Sequence, residues 1–167
     1  METDTVDELI ARITGERPIV LIDGRSGSGK SELASLVARR LQGEIVRLDN
    51  VYPGWDGLEV GSAAVRDIIR AGLWQRWNWA DNVPAERHAL GTDWPLVIEG
   101  SGALSRANRE LATFGVWVEL DEPTRKARAL ERDGDTYAPN WDRWAAQEQA
   151  FFDRERPDLI ADVVVAG

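Results

Sequence analysis

Gly24-Arg25-Ser26-Gly27-Ser28-Gly29-Lys30-Ser31 completes the pattern G-x-x-x-x-G-K-[ST] between an apolar run and a helical one, and this stretch decides the fold. Its glycines let successive backbone N–H groups turn inward around phosphates, which demands positive φ and a close approach that a Cβ would obstruct. Lys30 supplies a point charge for the β- and γ-phosphates, and the Ser31 hydroxyl is placed to ligate Mg²⁺. Residues 24–31 therefore read as a nucleoside triphosphate site. The flanks agree. Pro18-Ile19-Val20-Leu21-Ile22 is a short buried strand ending at Asp23, and Leu33, Leu36, Val37 and Leu41 share one face of a helix begun by Lys30. The plain alternative is a flexible glycine turn joining two elements.

Outward from the loop, strands and helices alternate. Residues 5–13 suit an amphipathic helix, 44–48 a second strand, 58–71 a helix with Val60, Ala64, Ile68 and Ile69 at helical spacing, and Leu96-Val97-Ile98 a buried third strand. A helix over 105–112 and a strand over 115–120 follow. Pro123 then opens a helix through Arg132, since proline is tolerated in a first turn that needs no donor. A long helix over 141–154 and a strand over 161–165 close the pattern. Strands separated by helices pair in parallel. The predicted class is α/β: a three-layer P-loop NTPase fold with a mainly parallel five-stranded sheet and helices on both faces. It forms a single domain over 1–167 with a mobile lid around 122–140. Trp74, Trp77 and Trp79 crowd one segment that carries no clear secondary-structure signal.

At 167 residues the chain fits one domain. It has no Cys, hence no disulfide framework, thiolate nucleophile or Cys-based zinc site, and a cytoplasmic setting is expected. The first 14 residues carry Glu2, Asp4, Asp7 and Glu8 without a basic start and apolar centre, unlike a secretory signal. No apolar stretch is long enough to span a bilayer. Acids outnumber bases 29 to 20, for a formal charge of -9. That balance argues against a general role on nucleic acid or an anionic membrane, so neither is an expected partner.

Asp49 follows Ile45-Val46-Arg47-Leu48, at the carboxyl end of a strand, where ligands of open α/β sheets bind. There it can accept a proton from a hydroxyl attacking the γ-phosphate, or hold Mg²⁺ through water; equally, Asp49-Asn50 before Tyr52-Pro53-Gly54 suits a turn. Glu99 occupies the corresponding position before Gly100-Ser101-Gly102 and reads as an acid orienting Mg²⁺, or as a strand-end acid bonded to loop amides. Arg125, Arg128 and Arg132 lie near one helical stripe that suits a phosphate clamp or an exposed face paired with Glu122, Glu131 and Asp133. Tyr52, Trp55, Trp77 and Trp79 are candidate walls for an acceptor, with Asp56, Asp81 or Arg87 to fix its polar groups. His88 reads as an ordinary exposed residue. Trp141, Trp144, Phe151 and Phe152 read as packing for the late helix.

These segments resemble the P-loop nucleoside and nucleotide kinase superfamily, most closely its uridine kinase-like branch. The resemblance rests on IDGRSGSGKS from Ile22, VRLDNVY from Val46, LVIEG from Leu96, LDEPTRKARALERDG from Leu120 and ADVVV from Ala161. It implies phosphate binding by Gly24, Arg25, Ser26, Gly27, Ser28, Gly29, Lys30 and Ser31, a catalytic acid at Asp49, a strand-end acid at Glu99, and lid arginines at Arg125, Arg128 and Arg132. Trp77-Asn78-Trp79 stands loosely where that branch carries an aromatic–acid–aromatic nucleoside contact. The expected activity is an ATP- and Mg²⁺-dependent kinase acting on a hydroxyl of a small metabolite, a nucleoside among the candidates. The competing expectation is a nucleotide-responsive switch that hydrolyses ATP without a small-molecule acceptor.

Overall fold

The computed structural model describes residues 3–167; Met1 and Glu2, the first of the N-terminal acids, lie outside them. The chain runs through α1 (Thr3–Arg12), β1 (Ile19–Gly24), α2 (Lys30–Leu41), β2 (Glu44–Arg47), α3 (Leu58–Ala71), β3 (Leu73–Asn78), β4 (Val83–Ala89), β5 (Leu96–Glu99), α4 (Arg106–Leu111), β6 (Phe114–Glu119), α5 (Glu122–Asp133), α6 (Trp141–Glu155), α7 (Pro157–Ile160) and β7 (Val163–Ala166). Single 3-10 turns occupy Leu48–Asn50, Gly134–Thr136 and Ala138–Asn140.

Five strands form one parallel sheet in the order β2-β5-β1-β6-β7, the expected architecture. Because successive strand residues point to opposite faces, the alternation in β1 and β5 splits the core in two. Leu21, Leu96 and Ile98 pack with Val65 and Ile68 of α3 and with Trp144 and Phe151 of α6. Val20, Ile22 and Val97 pack with Val6 and Leu9 of α1 and with Leu33 and Val37 of α2. Parallel pairing brings the carboxyl ends of all five strands to one edge, where β1 runs into the glycine loop, β2 into Asp49, and β5 ends on Glu99.

Two local signals place α4 and α5. Ser105 and Asp121 are N-caps whose side chains accept from Asn108 N and Thr124 N, satisfying amides that have no intrahelical partner. The second strand is one residue shorter than expected, because Leu48 opens a 3-10 turn that carries Asp49 out over the sheet edge.

The segment without a sequence signal is an antiparallel hairpin, β3–β4. β4 is largely exposed and contains Pro84, β3 has no fully buried residue, and the register shifts between Gln75 and Trp77, so no sustained alternation of buried and exposed residues marks the pair. Asn78 closes its turn by accepting from Ala80 N and Asp81 N, and Asn82 sits at φ 54. Among the described residues no helix is long and apolar enough to cross a membrane.

Candidate nucleotide and acceptor site

Gly27 and Gly29 have φ of 80° and 93°, the left-handed region the motif requires. A Cβ on Gly27 would lie 2.1 Å from the Arg125 carbonyl oxygen, because the loop is backed directly by α5. Side chains hold the loop from behind. Asp23 accepts from Gly24 N at 2.7 Å, Glu148 accepts from Ser26 N at 2.7 Å, Arg125 donates to Ser26 O at 3.3 Å, and Tyr137 Oη donates to Ser26 Oγ at 2.7 Å. Ser101 Oγ bridges Gly24 O and the Glu148 carboxylate. Such a shell fixes the loop before any ligand arrives, so little ordering remains to be done on binding.

The arginine stripe therefore divides. Arg125, 5% exposed, is a buried brace beneath the loop, whereas Arg128 and Arg132 line a cavity of about 710 Å³ in front of it with Gly29, Lys30 and Ser31. Only this second pair faces the phosphate side. Arg25 also departs from its expected place: its guanidinium lies 4.8 Å over the Phe152 ring and donates to Gln149 Oε1, so only its backbone serves the loop. Phe152 packs against Trp117 and is covered by Arg25 and Arg156.

At the end of β5, Glu99 is 2% exposed and accepts from Ser31 Oγ at 3.1 Å and Arg47 Nη1 at 3.0 Å. A hydroxyl and a carboxylate this close are hard oxygen donors of the kind Mg²⁺ takes alongside waters and phosphates, so the pair fits that ion. Arg47 also donates to Ser35 Oγ, tying Glu99 to α2.

A second cavity of about 410 Å³ opens beside the first. Lys30 and Arg132 line both, so the two spaces meet at a cationic junction. Asp49 and Asn50, exposed on their 3-10 turn, form one rim; Asp133, Thr136 and Tyr137 form another. The wall between is aromatic. Tyr52, Trp55, Trp79 and Trp144 contribute, and Trp79 is seated by a 2.7 Å bond from its Nε1 to the Asp49 carbonyl. Trp77 faces elsewhere, lining a groove between α3 and the hairpin with Val60 and Ile68. Of the polar groups expected to help, Asp56 pairs with Arg143 at the surface and Asp81 accepts from Asn78. His88 stacks on Trp74 and bonds to Glu86, half-buried and lining neither cavity.

Two buried carboxyls are electrostatically unusual. Burial pushes Asp23 up to about 7, opposed by bonds from the amides of Leu104, Gly24 and Gly102. Burial likewise raises Glu148, offset in part by Lys30. Glu148, Tyr137, Arg47 and Asp23 were not singled out in the sequence as site residues. A signal for Glu148 did exist: Trp141, Trp144, Glu148 and Phe151 form one buried helical stripe in which it is the lone acid. Trp144, read as packing alone, serves both the core and the second cavity.

No family model matches the chain. It is 47% identical over 52 residues to tRNA dimethylallyltransferase 9 of Arabidopsis thaliana, covering 31% of this chain and 11% of that protein. With a tRNA dimethylallyltransferase of Parafrankia sp. (strain EAN1pec) it shares 30% identity over 131 residues, 70% of this chain and 39% of the other. The chain thus spans well under half the length of these curated relatives. Among solved structures, one described as a possible uridine kinase from Bacillus stearothermophilus superposes with a TM-score of 0.69 at 19% identity, covering 97% of each chain. A gluconokinase from Sinorhizobium meliloti 1021 gives 0.55 at 18% identity, covering 92% of this chain and 83% of that one. The chain has the fold of P-loop kinases, as its resemblance to the uridine kinase-like branch implied.

Proposed function

We propose that the chain is an ATP-dependent phosphotransferase that moves the γ-phosphoryl group to a hydroxyl of a small molecule. The observation that carries this reading is the meeting of two cavities at Lys30 and Arg132, one fronting the glycine loop and the other rimmed by Asp49. A hydrolysing switch needs the first space; a built second space beside it suits an acceptor.

The triphosphate would lie along the loop with Lys30, Arg128 and Arg132 offsetting its charge. The acceptor oxygen attacks the γ-phosphorus while the bond to the β–γ bridging oxygen breaks, and ADP leaves with that electron pair. Asp49, on the acceptor side, takes the hydroxyl proton or orients it. Ser31 and Glu99 would hold Mg²⁺, which when bound supplies further neutralisation of phosphate charge. The segment 122–140 is tied to the loop at Arg125 and Tyr137 through Ser26, so lid movement would be confined to the stretch between them that carries Arg128, Arg132 and Asp133, and its closure would exclude water.

The test is transfer from γ-labelled ATP with Mg²⁺ to a pooled library of small alcohols, nucleosides included, with wild type, Lys30→Ala and Asp49→Asn. A labelled small molecule that disappears in both variants supports the assignment. Full activity in Lys30→Ala overturns it, as does ATP hydrolysis with no labelled acceptor. Modification of added tRNA, the substrate in the relatives' names, with no labelled alcohol would replace it with a different transfer.

A further inference from the structure

The second cavity has a narrower chemical character than an alcohol alone requires. Trp55 stands at its centre. Trp79 meets it at 5.2 Å and 64°, Trp144 at 6.2 Å and 82°, and Tyr137 lies against it at 5.2 Å and 32°. These rings pack on one another at differing angles, so more than one aromatic quadrupole borders the cavity, and such a wall can receive a compact cation. Much of the wall's polar edge is committed already: Tyr52 Oη donates to Ser101 O, Tyr137 Oη to Ser26 Oγ and Trp79 Nε1 to Asp49 O.

Charge points the same way. The ionisable groups on the cavity, apart from its two tyrosines, are Lys30, Arg132, Asp49 and Asp133. Both cations also line the phosphate cleft, and a triphosphate there takes up their charge. Asp133 accepts from Arg132 at 2.8 Å, and an Arg132 turned to phosphate releases that carboxylate to the cavity. With a triphosphate and Mg²⁺ bound, Lys30, Arg128 and Arg132 are taken up by the phosphates, so the charged side chains left facing the acceptor are Asp49 and Asp133. An anionic acceptor is disfavoured there and a cationic one favoured.

Resting on the phosphotransferase reading, we propose that the acceptor is a cationic amino alcohol. Its ammonium or quaternary ammonium group would sit against Trp55, Trp79 and Tyr137, and its hydroxyl would reach Asp49.

The experiment uses two matched pairs that share a shape and differ in one charge: choline with 3,3-dimethylbutan-1-ol, and 4-piperidineethanol with 2-cyclohexylethanol. Each is titrated calorimetrically into the full chain saturated with Mg²⁺ and a non-hydrolysable ATP analogue. The expected result is at least one cation bound about tenfold or more tighter than its neutral partner, with that preference lost in Trp55→Leu. ADP titration of the same variant reports whether it has folded. Equal affinity within both pairs, absence of binding by both cations, or tighter binding of uridine or D-gluconate overturns the proposal. Phosphoryl transfer, measured separately, keeps the two readings distinguishable. Transfer to neutral or anionic alcohols with both cations inert sinks the cation site and leaves the kinase; a tight cation with no transfer to any alcohol does the reverse.

Discussion

The phosphate cleft and the acceptor cavity share Lys30 and Arg132 yet are built by opposite means. The cleft is a backbone device. Its loop is one contiguous octapeptide braced by buried Asp23, Arg125, Ser101 and Glu148, and its shape depends on φ angles that glycine allows. The cavity is a side-chain device. Asp49 and Tyr52 come from the end of β2 and the turn after it, Trp79 from a hairpin turn, Tyr137 from beyond α5, and Trp144 from α6. A loop of this kind reads phosphates common to all nucleoside triphosphates. The cavity wall can vary at Tyr52, Trp79 or Trp144 without touching the loop, whereas Tyr137 also braces Ser26.

That contrast can be broken at several points. Lys30→Ala should cost the most, a fall in kcat/KM of about 10³-fold or more in the labelled-ATP assay, because it removes the cation common to both spaces. Unchanged turnover would end the argument. Asp49→Asn should lower kcat by about 10²- to 10⁴-fold while ADP affinity, read by calorimetry, stays near wild type. A parallel loss of ADP affinity would show that the two spaces are not separable. Gly27→Ala should cost about 1–3 kcal/mol in denaturant unfolding and weaken nucleotide binding, since its Cβ meets the Arg125 carbonyl at a positive φ.

Asp23→Asn tests the brace through pH. Burial holds the folded carboxyl near 7 against 3.8 in the open chain, so the folded state retains a proton that the unfolded state has released. Stability then falls as pH rises from about 4 to 7, by about 1 kcal/mol per unit, and is level above that window. The gap between wild type and Asp23→Asn in unfolding free energy should narrow across the same interval; a constant gap would refute the shift. The smallest effect belongs to Trp77→Phe. Because Trp77 lines the groove beside α3 and its buried Nε1 has no partner, turnover should stay within about twofold of wild type. A large loss would return it to the acceptor wall.

Much of this molecule was legible in order along the chain. The strand–loop–helix unit, the strands leading to Asp49 and Glu99, and the helix that Pro123 opens follow from local periodicity, glycine chemistry and proline's place in a first turn. The hairpin was not legible, because a proline-containing, irregular pair of strands with no fully buried residue lacks the alternation that burial imposes. Nor was the split among Arg125, Arg128 and Arg132. Helical spacing places three arginines near one stripe but cannot say that Arg125 lies behind the loop while Arg128 and Arg132 lie in front of it.

By itself the sequence determined where the glycine loop lies and which strand ends carry the acids, since these depend on residues within one or two turns of each other. Only the tertiary structure decided that Glu148 and Tyr137 brace the loop, that Trp79 and not Trp77 lines the second cavity, and that Lys30 and Arg132 stand between two cavities. Those relations join residues up to 122 positions apart. Packing against a shared sheet edge sets them, and no local spacing encodes that packing.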